Sequence, residues 1–282
     1  MSVRLACAAG RAVVLVGDGA ADVERHSNGR FSSDPMDALT RWDEFVAYAE
    51  GVAEPDSRLD PSSLGAPVPR PQKVFGIGLN YASHARETNM EPPEQPQVFT
   101  KFPSCLAGPT AVVDLPSDFC DWEVELVVVI GRGGRRITED AALDHVAGYC
   151  CGQDISERRV QMAGDRPQFS LGKSFDTFGP IGPAVVSLGA FADPNDVGLT
   201  CDVSGERVQE SRTSDLIFSV PQLVAYISSI CTLVPGDLIF TGTPSGVGVA
   251  RRPPRFLGDG DIIVSTIEGI GTMTNRCVRR DR

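Results

Sequence analysis

The chain has 282 residues, 41% hydrophobic and 22% charged, and its 37 acidic and 26 basic residues leave a formal net charge of -11. These are globular proportions, and they exclude a disordered or collagen-like chain. The length suits one large domain, or one with a small appendage; the acidic balance argues against a general nucleic-acid binder and against an anionic membrane surface as partner.

In chain order, residues 3–9 and 12–17 are two apolar runs broken by Gly10-Arg11, which predicts a hairpin. The same break, with Asp18 after it and no clear cleavage region, argues against a signal peptide. No later stretch approaches the ~18 apolar residues of a membrane span. Ser33-Asp34-Pro35 is a helix-start signal, and Met36, Leu39, Trp42, Phe45, Val46 and Ala49 follow at helical spacing. Pro55, Pro61, Pro67, Pro69 and Pro71, with Ser and Asp between them, have the composition of a linker. The expected boundary therefore separates a small α+β N-terminal domain, residues 1–70, from a larger domain, residues 71–282.

The larger part carries short β-type runs at Lys73–Ile77, Trp122–Ile130, Ala184–Leu188, Val197–Val203, Asp237–Phe240 and Asp261–Ile267. Two helices are predicted there. One opens after Thr138 with Glu139 and Asp140 in its first turn; the other is capped by Ser219 with Pro221 close behind. Many strands with few helices point to a mainly β (α+β) protein with a barrel- or roll-like core. Eight cysteines show no C-x-x-C and no zinc spacing, so free thiols in a reducing cytosol, and hence a cytoplasmic location, are expected.

The segment Asp121-Trp122-Glu123-Val124-Glu125 runs into a continuous apolar stretch that ends at Ile130. Alternation puts Glu123 and Glu125 on one face of a strand. If that strand is buried, the two carboxylates repel each other and each is costly to desolvate; a divalent cation is the simplest relief. An exposed edge strand with solvated glutamates is the other reading. Asp154 ends the mostly apolar or small run Gly148–Gln153, ahead of a helix-like Ser156–Gln161, and could be a third ligand or a helix cap. Oxygen donors alone favour Mg²⁺, Mn²⁺ or Ca²⁺.

His84 and Glu87 stand three apart in Asn80-Tyr81-Ala82-Ser83-His84-Ala85-Arg86-Glu87, neighbours if the segment is helical. A carboxylate beside an imidazole fixes its tautomer and raises its basicity, which suits a general base; a surface pair is the alternative. His26 and His145 read as structural or surface residues. Lys173, amid apolar and small residues, could stabilise an enolate or a substrate carboxylate, or pair with Asp176 or the acidic cluster. The run Thr241–Gly248 lacks the ending of a phosphate-binding loop, and Gly76–Tyr81 lacks the third glycine of a dinucleotide fingerprint. A turn in which Thr243 and backbone N–H groups meet a substrate oxygen fits the former better than a nucleotide loop, with a plain strand-to-strand turn as the alternative.

Taken together, GLNYASHARE, FTKFPS, DWEVELVVVIG, GYCCGQDISERRVQ, GKSFDTFGPIGP, IFSVPQLVAYIS and PGDLIFTGTPSGVG resemble, in order, the motifs of the fumarylacetoacetate hydrolase family from about Lys73 to Val278. The resemblance implies a mixed β-roll with Mg²⁺ (or Mn²⁺ or Ca²⁺) on Glu123, Glu125 and Asp154. It implies a His84–Glu87 dyad on a lid over residues 82–96, an active-site Lys173, and substrate contacts from Arg158, Gln161 and Thr243. A homodimer with a small N-terminal domain is implied as well. The implied reaction is metal-dependent C–C hydrolysis of an acylpyruvate through an enolate, in catabolism of aromatics or sugars. Decarboxylation of oxaloacetate and isomerisation of an unsaturated dioic acid would use the same enolate, and a non-catalytic dimer that binds 2-oxo acids is a further alternative.

Overall fold

The structure, a computed structural model, describes residues 2–279. Its centre is the strand Val124–Ile130, every residue of which is buried. Val124, Leu126, Val128 and Ile130 point into one hydrophobic core, Val127 and Val129 into another. Burial on both faces is what a continuous apolar run without polar alternation specifies. This strand pairs antiparallel with Val146–Gln153 on one side and with Leu238–Phe240 on the other. Leu238–Phe240 then pairs parallel with Val74–Gly78, so the sheet is mixed.

The predicted hairpin forms as Arg4–Ala8 and Arg11–Val16, and it joins the same sheet through pairing of Arg4–Ala8 with Gly179–Val186. The twelve-stranded sheet thus runs from N-terminal strands at one edge to Gln97–Thr100 at the other. The N-terminal helices cover one face, with Leu39, Trp42 and Phe45 in the core that holds Val127 and Val129. On the opposite side Leu199, Cys201, Ile263 and Met273 pack from a five-stranded sheet built on Gly198–Val203, Ile262–Ile267 and Gly271–Val278. The mainly β, mixed-sheet fold class expected from the pattern is the one found.

Three local expectations change. The single helix after Pro35 is two, Pro35–Thr40 and Trp42–Ala49, because Arg41 between them has φ -125 and ψ 41. The segment after Thr138 is 3-10, not α, over Glu139–His145. Ser156–Glu157, read as helical, is a short strand against Cys120–Asp121, and only Arg158–Gln161 is helix. The helix Val220–Ile230 forms with Ser219 and Gln222 in a reciprocal cap, as Ser219 and Pro221 predict. Among the described residues no helix is long and apolar enough to cross a membrane. All eight cysteines are free.

Candidate active site

Register brings the three carboxylates together. Val124 pairs with Gln153, so Glu123 and Asp154, the residues just outside that pair, face one another, and the Asp154 N–H donates to the Glu123 carbonyl at 2.9 Å. Glu123, Glu125 and Asp154 are at most 6% exposed, and one oxygen of each lies within 4.8 Å of the others. The buried reading of the Glu-x-Glu pair is thus the one the fold adopts. Asp154 caps no helix; Glu157 caps Arg158–Gln161 instead.

Buried cations surround the triad. The Lys173 ammonium donates to Glu123 Oε2 and Asp154 Oδ2, each at 2.6 Å, so its partners are the acidic cluster and not Asp176. Arg158 reaches Glu123 Oε1 with Nη1 at 2.7 Å and Asp121 Oδ2 with Nη2 at 2.7 Å. The same Nη1 donates to Gln161 Oε1 at 2.9 Å. Burial pushes the Glu123 carboxyl up, but Lys173 and Arg158 outweigh it and hold it at about 2. Glu125 bonds neither cation: burial first, then Asp154 and Glu123, push its carboxyl well above the ordinary range, against the Lys173 charge and one N–H from Gly242 at 2.8 Å. Burial lowers the Lys173 ammonium, and Asp154 and Glu123 more than restore it, so it stays protonated.

These residues fit a hard dication. The donors are all carboxylate oxygens from three chain positions, and the strain on Glu125 is what a nearby doubly charged ion relieves. Glu123, Glu125 and Asp154 would hold it.

The dyad stands beside them. In the helix Ala82–Thr88, His84 Nδ1 lies 3.1 Å from Glu87 Oε2. As Glu87 only accepts, the proton belongs on Nδ1 and the lone pair on Nε2. Glu87 Oε1 accepts from the Gly246 N–H at 2.9 Å. The glycine-rich loop therefore grips carboxylates with its backbone. Gly242 holds Glu125, Gly246 holds Glu87, and Gly248 and Val249 hold Asp121 at 2.7 and 3.0 Å. Gly246 has φ +107, and a Cβ there would lie 1.9 Å from the Val208 carbonyl; a Cβ on Gly248 would meet the Arg255 carbonyl at 1.9 Å.

A cavity of about 310 Å³ is lined by His84, Glu123, Arg158, Gln161, Lys173 and Thr243. A more open cleft of about 470 Å³, beside Trp42 and Arg132, holds none of the triad or dyad. Thr243 lines the cavity, but its hydroxyl donates to the Val124 carbonyl at 3.0 Å and accepts from Gln209 at 2.8 Å, so it offers no free donor to a ligand. His26 pairs with Asp56, and His145 Nδ1 lies 2.9 Å from the Arg132 carbonyl, both away from this cavity.

Sequence reasoning missed two members. Lys101, 1% exposed, donates to Asp154 Oδ1 at 2.7 Å, to the Phe178 carbonyl at 3.2 Å and to the Lys173 carbonyl. Asp121, fully buried, anchors Arg158. The available signals were a lysine between two phenylalanines in Phe99-Thr100-Lys101-Phe102 and an aspartate opening the Glu-x-Glu strand.

Oxaloacetate tautomerase FAHD2B, mitochondrial, of Bos taurus is 46% identical over 215 residues, 76% of this chain and 68% of that protein. A solved structure from Mycobacterium smegmatis, described as a candidate HpcE protein, is 50% identical with TM-score 0.94, covering 99% of this chain and 100% of that one. Maleylpyruvate hydrolase from Sphingobium sp. SYK-6, solved with manganese (II) ion and pyruvate, is 30% identical with TM-score 0.82, covering 99% and 100%. Residues 73–278 match the Fumarylacetoacetate (FAA) hydrolase C-terminal domain, and the chain belongs to the fumarylacetoacetate hydrolase family.

Proposed function

We propose that the protein is a metal-dependent enzyme of 2-oxo acids that works by stabilising an enolate, and that its reaction is keto–enol tautomerisation. The observation that carries this is one cavity lined by Glu123, Lys173 and His84, with Glu125 and Asp154 completing the buried carboxylate cluster around Glu123 and with Glu87 holding His84. The 46% identity to oxaloacetate tautomerases supports it. A bound dication would supply the positive charge that draws electrons toward the substrate's 2-oxo and carboxylate oxygens. His84 Nε2 takes a proton from C3, and Glu87, fixed by Gly246, holds the imidazole in the required tautomer. Lys173 meets the negative charge that grows on the 2-oxo oxygen. The proton removed from carbon is balanced by one delivered to oxygen, so the reaction is a net isomerisation.

A second reading is hydrolysis of an acylpyruvate, supported by the maleylpyruvate hydrolase solved with manganese and pyruvate. There His84 takes its proton from water, the C–C bond beside the distal carbonyl breaks, and a carboxylic acid and pyruvate leave. Arg158 and Gln161 face the substrate in both readings. We place residues 1–70 as an accessory domain, since every site residue lies within 71–282. The free thiols support a reducing compartment, taken as the cytosol. A homodimer is proposed on the family resemblance alone.

The test is the rate at which enol absorbance of oxaloacetate and acetylpyruvate changes, from either tautomer, with Mg²⁺ or Mn²⁺, repeated after exhaustive chelation, with products read by NMR. Turnover should vanish on chelation and return with the ion, and His84→Ala should lower the rate by roughly 10²–10⁴. An unchanged carbon skeleton supports tautomerisation, pyruvate plus a second acid supports hydrolysis, and CO₂ marks decarboxylation. Turnover that survives chelation, or tight 2-oxo acid binding without turnover, overturns the proposal.

A further inference from the structure

We infer that Gln209 is a positioning residue, which fixes Glu123 and Glu125 for the dication through the two peptide groups that flank Val124; this rests on the metal reading of the site above. Val124 stands between the two glutamates, so its N–H belongs to the peptide shared with Glu123 and its C=O to the peptide shared with Glu125. In a strand both groups of one residue point to the same side. On the other side of this strand the Asp154 N–H donates to the Glu123 carbonyl at 2.9 Å. The side that Val124 faces is the one served by Leu238–Phe240, whose pairing stops at Val127. The Thr241 N–H still reaches the Leu126 carbonyl at 3.1 Å, and after it Gly242 turns its N–H to the Glu125 carboxylate. At Val124 the neighbouring strand has ended, and two side chains stand in its place.

The Val124 N–H donates to Gln209 Oε1 at 3.0 Å, Gln209 Nε2 donates to Thr243 Oγ1 at 2.8 Å, and the Thr243 hydroxyl donates to the Val124 carbonyl at 3.0 Å. These three bonds close a ring through both peptides. Gln209 Nε2 also donates to the Pro244 carbonyl at 2.9 Å, so the amide ties the strand to the glycine-rich loop. Both side chains are buried, and a satisfied buried network of this kind holds one arrangement. Glutamine suits the task, because it brings an acceptor and two donors without adding charge to the cluster. Gln209 lies on Glu206–Arg212, the edge strand of the five-stranded sheet. Val208, just before it, supplies the carbonyl that leaves no room for a Cβ on Gly246. A strand outside the sheet that carries the carboxylates therefore sets where two of them start. Thr243, expected from the sequence to meet substrate, serves this ring with its hydroxyl.

The experiment measures the Kd for Mn²⁺, from the EPR signal of the free ion, together with thermal unfolding of the metal-free protein. Gln209→Met removes the acceptor and both donors at similar length. It should raise the Kd at least about tenfold, as the loss of groups that orient metal ligands does. Thr243→Val opens the ring from the other side with a side chain of the same shape, and it carries the test alone if Gln209→Met does not fold. It should raise the Kd about fivefold, the effect of one buried hydrogen bond. The double variant should be no weaker a binder than Gln209→Met, since the ring is already open. Asn275→Leu is the control for a merely structural loss: Asn275 is a fully buried amide on another strand of the same sheet, and it donates to the Gly108 and Ala111 carbonyls. It should lower the unfolding temperature and leave the Kd unchanged. Wild-type affinity in a folded Gln209→Met or in Thr243→Val, effects that multiply in the double variant, or an equal rise in Asn275→Leu would overturn the positioning role while leaving the metal reading standing. Failure of the wild type to bind Mn²⁺ would overturn both.

Discussion

Charge is handled in opposite ways in two regions of the molecule. In the N-terminal hairpin Arg11 reaches Asp22 at 2.6 Å and Glu24 at 2.8 Å, with Arg11 37% and Glu24 45% exposed. Around the triad the paired side chains of Lys101, Lys173, Asp154 and Glu123 are no more than 8% exposed. Arg11 and Glu24 stay solvated and only Asp22 is covered, at 10% exposed, so these pairs cost little to form, add little, and are weakened by salt. The triad's pairs have lost their water, a penalty that Coulomb attraction inside the protein only roughly offsets. Well-packed apolar side chains would serve the fold as well. What they could not supply is a cluster of oxygen donors with Glu123 and the Lys173 ammonium at the wall of a cavity, so the reason for the buried charges lies in chemistry.

The sharpest way to break the contrast is to remove a partner from the buried side. Lys101→Met leaves Asp154 Oδ1 and the Phe178 and Lys173 carbonyls without their ammonium donor. Urea unfolding should show a loss of roughly 2–4 kcal/mol, since Asp154 keeps Lys173 as counter-charge but its Oδ1 and the buried Lys173 carbonyl lose their donor, at about 1–3 kcal/mol for each unsatisfied group. That loss should be nearly the same in 1 M salt, because the site is shielded from screening ions. A loss below about 1 kcal/mol would mean that the Lys101 ammonium is not what satisfies Asp154 Oδ1.

Lys101 also shows where reading the sequence stops. Val124–Ile130 was legible because the unbroken apolar run Leu126–Ile130 has few ways to be satisfied, and the Glu-x-Glu that leads into it inherits that burial. His84 and Glu87 were legible because their contact is local, three residues apart on one helix. Lys101 touches groups 53, 72 and 77 residues away, and nothing beside it in the chain separates a buried lysine from one on an exposed edge strand. The strand at Ser156–Glu157 was hidden for a similar reason: tertiary pairing overrode a helical pattern. The glycine-rich run was visible as a turn, but its partners Glu125, Glu87 and Asp121 lie 117, 159 and 127 residues off.

A milder probe lies in that loop. Gly246→Ala puts a Cβ against the Val208 carbonyl and strains a φ of +107, at a cost of about 1–3 kcal/mol. It should also disturb the N–H that holds Glu87. The rate should therefore fall in kcat, by about tenfold, more than it changes KM, as the imidazole loses its alignment. Gly205→Ala is the control: its φ is +84, but no atom lies within 4 Å of the added Cβ. It should strain its turn and leave kcat alone. Equal effects of the two on kcat would remove the loop from any positioning role.

The smallest effect belongs to the solvated side, and its pH dependence has a definite sign. Asp22 accepts from Arg11, and also from the Arg25 N–H at 3.0 Å as the cap of a short helix. Its carboxyl is held below the ordinary value, by the Arg11 hydrogen bond above all. A carboxylate lowered in the folded state adds stability above its unfolded pKa, near 3.9, and loses it as pH falls through the lower folded value. Asp22→Asn keeps a competent cap and removes only the charge. The variant should be less stable at pH 7, by no more than about 1 kcal/mol given solvent screening. The gap should shrink in high salt and close as pH falls below about 3.9. A gap that stays constant from pH 7 down to pH 2 would show that the amide disturbs packing, and that the charge of this hairpin pair contributes nothing to stability.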